Sequence, residues 1–288
     1  MAPAPYTVKL IVTGATGTNG SCNATVSHIV NFIHPQPKAA FDFDKPTICI
    51  GDNVTVTDKT NGLDGTVQQR FWDFGDNIKG STSQVQHLYT AAQTYPVSLY
   101  IINSQGCNSD TLTQQFVVNP YPVVDAGPDR VVLESGSVTM QPVVTGNDLQ
   151  YLWSPATYLN DPTLATPTAS IILNDITYTL TVTGRGGCTA PSDNLFIKVL
   201  RAPKVPNTFT PNNDGINDVW AIDYLNTYPN CRVQVFTRSG QLVFESRGYK
   251  TPWDGTIKGK PLPFDTYYYI LEPGNGRPPS TGYVTIVK

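Results

Sequence analysis

One segment near the C-terminus concentrates side chains that could bind a metal ion. The run Asn212-Asn-Asp-Gly-Ile-Asn-Asp218 places carboxylates and amides around a glycine turn. Ca²⁺ prefers oxygen ligands of this kind, so Asp214 and Asp218, with Asn212 and Asn217, form a candidate calcium loop. The ligand spacing does not complete an EF-hand. The alternative is a set of Asx-turns that fixes the loop backbone. We expect no cofactor, and structural Ca²⁺ in this loop is the one candidate.

A second segment has the spacing of a dinucleotide-binding turn. Leu10-Ile-Val-Thr-Gly-Ala-Thr-Gly-Thr-Asn-Gly20 is similar to the glycine-loop fingerprint of the extended short-chain dehydrogenases, which holds a pyrophosphate at a helix N-terminus. No alternation of strands and helices follows it, and the Tyr-x-x-x-Lys pair of that family is missing. We therefore predict a hairpin loop whose glycines take positive φ, and no nucleotide site.

Two further patterns that could support catalysis lack the partners they would need. Asp73-Phe-Gly75 resembles the kinase magnesium triplet, but no catalytic-loop or Lys-bearing motif accompanies it. A catalytic cysteine needs a nearby histidine, and His28, His34 and His87 offer no recognisable partnership of this kind. We expect a protein without enzymatic activity.

The five cysteines invite a disulfide assignment if the protein is exported. Cys49 lies just before the strand-like run Asn53–Thr57, and Cys107 follows another strand of the same predicted domain, so we predict a Cys49–Cys107 bridge. Cys22 and Cys188 are expected to be unpaired. Cys231 alternates with valines along a strand and is expected to be a small buried apolar residue.

Composition favours an all-β chain. Only 14% of the 288 residues are charged, and 24 prolines and 23 glycines leave little material for long helices. The net charge of −3 and the absence of a basic run argue against nucleic acid or an anionic membrane as a partner. No stretch reaches the ~20 apolar residues of a membrane span, so we expect no direct membrane insertion. The N-terminal residues read as the middle of a domain, and we expect further chain upstream.

A strand pattern that leads to a cysteine occurs three times, beginning at Tyr6, Tyr95 and Tyr178. The alternation of apolar and polar residues in each copy is typical of a strand with one buried face. A β-rich run closed by prolines follows each cysteine, and these prolines mark domain ends because they cannot donate to a sheet ladder. The predicted domains are 1–37, the last two strands of a truncated sandwich, then 38–121, 122–203 and 204–288.

The second of these domains contains Phe71-Trp-Asp-Phe-Gly-Asp-Asn77, which resembles the Trp-x-Phe-Gly-Asp-Gly motif of polycystic kidney disease (PKD) repeats. Trp72 and Phe74 alternate onto one face and should fill a sandwich core. Asn77 replaces the usual glycine and tolerates the same left-handed backbone. The domain 122–203 resembles related PKD- or Ig-like domains, and Trp153 is expected in its core.

The last domain carries several blocks that occur together in one known family. They are Val205–Trp220, the hairpin Val233–Phe244, Trp253-Asp-Gly255, Leu262–Tyr269 and the terminal run Thr281–Lys288. Together they resemble the gliding-motility-associated C-terminal domain, the type B sorting domain of the Bacteroidota type IX secretion system. Asn213 replaces a common glycine of that family, and Thr237 and Ser239 depart from its Asn-Arg-Trp-Gly hairpin.

The resemblance implies a fold of tandem Ig-like β-sandwiches that ends in an Ig-like sorting domain. Most of the aromatic residues of the blocks, which are Phe209, Trp220, Phe236, Trp253 and Tyr268, should then be core residues. Recognition is expected in the exposed loop and the last strand, which can bind without disturbing the core. The candidate contact residues are Asn212, Asn213, Asp214, Tyr283, Val284, Thr285, Ile286, Val287 and Lys288.

The same resemblance implies the partners and the function. The expected partners are the type IX translocon, a PorV-like shuttle and a PorP/SprF-type outer-membrane protein. The chain would be the C-terminal fragment of an exported surface protein of gliding or adhesion, displayed by its last domain, with an upstream ligand that the sequence does not indicate. The alternative is an accessory or carbohydrate-binding tail of a secreted hydrolase, because PKD-type domains often accompany such enzymes.

Overall fold

The computed structural model describes residues 5–14 and 23–287, and its regular structure is almost entirely β. In this part of the chain the only helical segments are two 3-10 turns, Arg185–Gly187 and Leu225–Thr227, so no described helix could cross a membrane. The predicted all-β fold of tandem Ig-like sandwiches is confirmed. Contacts group the chain into two compact units, 1–121 with 184–188, and 122–183 with 189–288. The boundaries at 37, 121 and 203 stay predictions.

The N-terminal part of the first unit is a two-stranded hairpin. β1 (Tyr6–Thr13) pairs antiparallel with β2 (Asn23–Val30). This is the arrangement of a hairpin and not of a nucleotide-binding unit, although residues 15–20 of the glycine run and Cys22 lie outside the described residues. The predicted buried face is absent, because large apolar side chains are exposed on both faces of the described strands. Two strands without a covering layer are marginally stable.

Eight strands form the sandwich of the PKD-like region. A sheet of order β4-β10-β9-β6-β7 faces one of order β3-β5-β8. The strands are β3 (Phe41–Phe43), β4 (Thr47–Cys49), β5 (Asn53–Asp58), β6 (Val67–Asp73), β7 (Lys79–Gly80), β8 (Gln84–Leu88), β9 (Thr94–Asn103) and β10 (Leu112–Asn119). Trp72 and Phe74 are buried together in the core, and Asn77 takes a left-handed φ of 71°, both as predicted.

The only disulfide among the described residues joins Cys49 to Cys188, so the predicted Cys49–Cys107 pairing and the unpaired state of Cys188 are wrong. Cys49 ends β4 and lies opposite Asn119, the last residue of β10. Cys107 lies five residues before β10 begins at Leu112, and its thiol is free. A strand advances about 3.3 Å per residue, so these two cysteines lie at opposite ends of an eight-residue strand. A bridge needs Cα atoms within about 7 Å.

The 3-10 turn before Cys188 brings this cysteine to Cys49, with a Cα–Cα distance of 5.6 Å. Gly186 has a φ of 73° there, and a Cβ at this position would clash with the side-chain amide of Asn119. Only glycine fits both the backbone conformation and the space. The disulfide therefore depends on a glycine turn that is distant from Cys49 in the sequence.

Residues 123–200 form a second sandwich. It has a four-stranded sheet of order β12-β18-β17-β15 and the strand pairs β11-β14 and β13-β16. Trp153 is buried in its core, as predicted. The strands are β11 (Val123–Asp125), β12 (Arg130–Leu133), β13 (Gly136–Thr139), β14 (Val143–Thr145), β15 (Gln150–Ser154), β16 (Thr168–Ile172), β17 (Ile176–Thr183) and β18 (Asp193–Leu200).

The last seven strands form the terminal domain. Five of them make one sheet of order β19-β25-β24-β20-β21, and β22 pairs with β23. They are β19 (Thr208–Phe209), β20 (Arg232–Phe236), β21 (Leu242–Arg247), β22 (Thr256–Ile257), β23 (Lys260–Pro261), β24 (Thr266–Glu272) and β25 (Ser280–Ile286). Cys231 is buried just before β20, as expected, and burial raises the pKa of its thiol.

Candidate functional site

The aromatic blocks of the terminal domain meet in one core. Trp220 and Trp253 are joined by a backbone hydrogen bond of 2.7 Å, and their rings make an edge contact. Phe209 packs on Trp253 from β19. These three side chains are buried, so they support the surface and do not contact a partner directly.

Tyr249 connects this core to the chain that leaves the opening loop. Its hydroxyl donates to the carbonyl oxygen of Trp220 and accepts from the amide of Trp253 at 3.3 Å. Burial raises the pKa of Tyr249 well above that of an exposed tyrosine. The neutral hydroxyl therefore holds the two tryptophan segments together.

Two of the five aromatics expected in the core are not fully buried. Phe236 is half-buried, and Tyr268 is 47% exposed, whereas the buried residue of that strand is Tyr267. The sequence has three adjacent tyrosines at residues 267–269, so the pattern alone does not show which of them faces the core. Strand register decides it, because alternate side chains point to opposite faces. The expectation holds for the other three aromatics.

The opening loop is held by hydrogen bonds that its own amides donate to its carboxylates. Asp218 accepts from the amides of Asn213 and Gly215 at 2.6 and 2.7 Å. Asp214 accepts from the amide of Ile216 at 2.8 Å and from the side chain of Asn212 at 2.9 Å. Asn213 has a φ of 64°, which fits its place where the family has glycine. The Asp214–Ile216 bond, and a bond of 3.1 Å from the amide of Asp214 to the side-chain oxygen of Asn212, form Asx-turns, which were one of the two alternatives.

Calcium binding by this loop stays a prediction. Each of the four carboxylate oxygens of Asp214 and Asp218 already accepts a hydrogen bond. Asn217 contributes its carbonyl oxygen to the loop, accepting from the amide of Thr210 at 2.9 Å. Across residues 5–14 and 23–287 no group of three or more His, Cys, Asp or Glu side chains is placed to hold a metal ion.

The terminal strand is covered along only part of its outer edge. β19 lies beside its C-terminal half, where the amides of Thr285 and Val287 donate to Asn207 O and Phe209 O at 2.8 and 3.1 Å. The last strand, which was expected to be available for recognition, is therefore covered by β19 over that half. The side chains of Val284 and Ile286 are buried in the core. Receptor contact by Tyr283 to Val287 stays a prediction, and Lys288 lies outside the described residues.

The open half of this edge begins at a residue that the sequence did not single out. Ser280, Thr281 and Gly282 are the strand residues before Tyr283, and among the described residues no strand lies outside them. The pattern along β25 carries no signal for this opening, because it depends on where β19 stops beside it.

His87 and the Asp73-Phe-Gly75 triplet both contact residues of their own sandwich. His87 Nε2 lies 2.8 Å from a carboxylate oxygen of Asp76, and its ring stacks on Phe74. Asp73 accepts from Lys79 and from the amide of Gly75, and the Lys79 bond lowers the pKa of its carboxyl. The triplet is thus part of a tight turn, as its expected structural role requires.

Comparison with known proteins identifies two kinds of domain. Residues 203–286 match the family described as the CHU_C type IX secretion signal domain, and residues 34–118 match the PKD domain family.

Three solved structures are among those similar to the chain, all at low TM-scores that add no argument. The PKD1 domain of the Vibrio cholerae metalloprotease PrtV is 26% identical, covers 29% of this chain and 98% of its own, and has a TM-score of 0.26. The PKD1 domain of Vibrio anguillarum Epp is 28% identical, covers 29% of this chain and 96% of its own, and has a TM-score of 0.25. Three N-terminal domains of the bacteriophage RB49 outer capsid protein Hoc are 14% identical, cover 88% of this chain and 100% of their own, and have a TM-score of 0.35.

The two family matches agree with the motifs at Phe71–Asn77 and Val205–Trp220 and with the sandwiches that hold them. The chain therefore carries a CHU_C type IX secretion signal domain at residues 203–286, preceded by a PKD domain at residues 34–118.

Proposed function

We propose that the chain is the C-terminal part of an exported protein that is displayed at the cell surface, with its last domain as the export signal. The observation that carries this proposal is the secretion-signal match, which spans β19 to β25 and implies export across the outer membrane. The sandwiches before it would act as spacers between the signal and the region that performs the surface function, in gliding or adhesion of a Bacteroidota cell.

The proposed partners are the type IX translocon, a PorV-like shuttle and a PorP/SprF-type outer-membrane protein. Their contacts with this chain would lie on exposed parts of the terminal domain, because its tryptophans are buried. The opening loop Asn212–Asp218 and the open part of β25 are exposed in this way.

We propose no catalytic role for residues 1–288. Both matched kinds of domain are non-catalytic. His87, which lies 2.8 Å from Asp76, packs against the rings of Phe74 and Tyr89 in the sandwich.

A reporter fusion tests the export function. A fluorescent protein fused before residue 1 of the whole chain should reach the surface of a bacterium with a type IX secretion system, and should stay inside a strain that lacks the translocon. The matched control is the same fusion ending at residue 203. Surface reporter that persists without residues 204–288 would contradict the proposal.

One observation favours the second candidate function, a carbohydrate-binding tail of a secreted hydrolase. On the outer face of the PKD domain, Phe71 is 40% exposed and stacks on Tyr100 with ring centroids 4.4 Å apart. The two rings border a groove of about 380 Å³ that also presents Asp73, Lys79 and Ser98. Aromatic faces beside polar groups are typical of ligand grooves.

Affinity electrophoresis of the whole chain in gels that contain soluble cellulose, xylan or chitin derivatives tests this alternative. Retardation that Phe71→Ser abolishes would support carbohydrate binding. Leu88→Ser, at an exposed position in the same domain, is the matched control. Equal mobility in all gels would exclude these polysaccharides as ligands.

A further inference from the structure

A row of three aromatic side chains crosses the outer face of the terminal sheet. In the strand register Phe236 lies opposite Tyr268, and Tyr268 lies opposite Tyr283. The neighbours of these residues along each strand include core residues, so the alternation of side chains turns the row away from the core. The row runs across β20 and β24 and ends on β25.

This aromatic row borders a groove of about 580 Å³. Tyr268 and Tyr283 are 47% and 53% exposed, and the lining also includes Thr237, Arg238 and Ile270. Soluble proteins rarely expose contiguous apolar surface without a binding role. Aromatic residues are also among those most enriched at the centres of protein interfaces.

The aromatic row ends at the part of the β25 edge that β19 does not cover. The amide of Ile286 donates to Asp265 O, on the β24 side, so the backbone groups of alternate residues point to the other side. Thr285 meets β19 on that side, whereas no strand of the described residues lies outside Thr281 and Tyr283. The outward amide and carbonyl groups of Thr281 and Tyr283, which are two residues apart, therefore have no strand partner in the described part of the chain.

The open part of the edge begins where β19 begins, at Thr208. Just before β19, the carbonyl oxygen of Pro206 accepts from the indole of Trp220 at 2.7 Å. Among the described residues, no strand continues the line of β19 beside Thr281 and Tyr283.

The uncovered edge of β25 is fixed in position and lacks the usual protection against pairing with another strand. Arg277, in the turn before β25, donates to Leu200 O at 3.1 Å and to the hydroxyl of Tyr228 at 2.8 Å, which fixes the start of the strand. Natural edge strands are usually protected by charged side chains or bulges, yet residues 280–286 contain no charged residue. A preformed edge of this kind is suited to strand addition.

We infer that an extended strand of the export machinery adds to β25 along Thr281 and Tyr283 and lays alternate side chains on the aromatic row. This inference rests on the export function proposed above. Backbone groups two residues apart select an extended polypeptide, and the added strand would lie end to end with β19. Arg238 is the one charged residue among the described residues that line the groove, so the bound strand should place a carboxylate near it.

Two variants separate the backbone contact from the side-chain contact. Thr281→Pro removes the outward amide but leaves the ladder to β24 intact, because the amide of Thr281 does not point to β24. The double variant Tyr268→Ser, Tyr283→Ser removes two exposed rings. In the whole-chain fusion each variant should lower surface reporter by roughly tenfold or more, as expected for the loss of contacts at the centre of an interface.

The matched control is Phe264→Ser, because Phe264 is 65% exposed in the same domain but lies away from the aromatic row. It should be exported like the unaltered chain, and the purified variants should keep its melting temperature. Normal export of both edge variants would overturn the strand-addition inference alone. Failure of the unaltered chain to be exported would instead overturn the proposed function.

Light scattering of the purified whole chain tests the other occupant, a second copy of this chain. We expect a monomer. A dimer that the Thr281→Pro variant abolishes would assign the edge to self-association and overturn the inference. A monomer, together with loss of export in both variants, would support it.

Discussion

The opening loop and the terminal strand were both expected to carry recognition, and they differ in how their polar groups are satisfied. The loop Asn212–Asp218 is rich in polar groups, but its carboxylates bind its own amides. The strand has no charged side chain, yet among the described residues the outward backbone groups of Thr281 and Tyr283 have no strand partner beside the exposed rings. A polar composition therefore marks a turn that satisfies its own polar groups, whereas the proposed binding surface lies on an uncharged strand with an open edge.

The largest effect should come from removing the core on which both regions rest. Trp253→Ala deletes a buried side chain that packs on Phe209 and Trp220, and should cost about 3–5 kcal/mol of unfolding free energy. Denaturant unfolding of the whole chain measures it. Phe264→Ala, at an exposed site, is the control and should cost little. Protection of the loop and of the strand against hydrogen exchange should fall together, and loss in one region alone would contradict a shared core.

A smaller change should separate the two regions. Tyr249→Phe removes the hydroxyl that binds Trp220, just after the loop, and leaves a buried carbonyl unpaired, at a cost of about 1–3 kcal/mol. Hydrogen exchange should rise more in the loop than in β25. Equal increases in both regions would show that Tyr249 supports the whole domain and not the loop end.

The same tyrosine gives a pH dependence. Burial raises the pKa of Tyr249 in the folded chain, so the unfolded chain loses this proton first, near pH 10. The stability due to Tyr249 is therefore complete below about pH 10 and falls as the pH rises above it. Thermal melts between neutral and alkaline pH should show a smaller alkaline loss for Tyr249→Phe than for the unaltered chain. An unchanged alkaline loss would assign it to other groups.

The loop itself should depend on Asp218. Asp218→Ala removes both acceptors of the Asn213 and Gly215 amides and should cost about 1–2 kcal/mol. Asp218→Asn keeps one oxygen acceptor and should cost about half as much. Hydrogen exchange in residues 212–218 reports the loosening. Export of both variants close to that of the unaltered chain would fit a structural loop, whereas loss of export with an unchanged melting temperature would assign it a direct contact.

The open edge should be nearly neutral for stability. Thr281→Lys should change the unfolding free energy by less than about 0.5 kcal/mol, because this residue is exposed and its amide is unpaired. Ile286→Ala, in the covered and buried half of the same strand, should cost about 2–5 kcal/mol. Similar costs at the two positions would mean that the edge is covered in solution.

Calcium should have the smallest effect. Since every carboxylate oxygen of Asp214 and Asp218 already accepts a hydrogen bond, millimolar Ca²⁺ should leave the melting temperature of the whole chain unchanged. A rise that Asp218→Asn abolishes would establish the calcium alternative. Mg²⁺ at the same concentration is the ionic-strength control.

Local patterns carried most of the fold. The alternation of Trp72 with Phe74 identified one core because a sandwich strand must bury one face, and the resemblance of the last domain to its family placed Trp253 in another. The Asx-turns of the opening loop were also visible in the sequence, since Asp and Asn bind amides only two to five residues away. The row of Tyr267 to Tyr269 was ambiguous, because a shift of one residue exchanges the inner and outer faces.

The amino-acid sequence by itself determined what depends on short separations along the chain: the strands, the turns, the tryptophan cores and the export-signal match at 203–286. Tertiary structure alone decided the partner of Cys49, because Cys188 is 139 residues away and reaches it through a glycine turn. It also decided which half of β25 is open, since that depends on where β19 stops beside it. Both outcomes follow from the relative positions of distant segments, which the pattern along one strand does not specify.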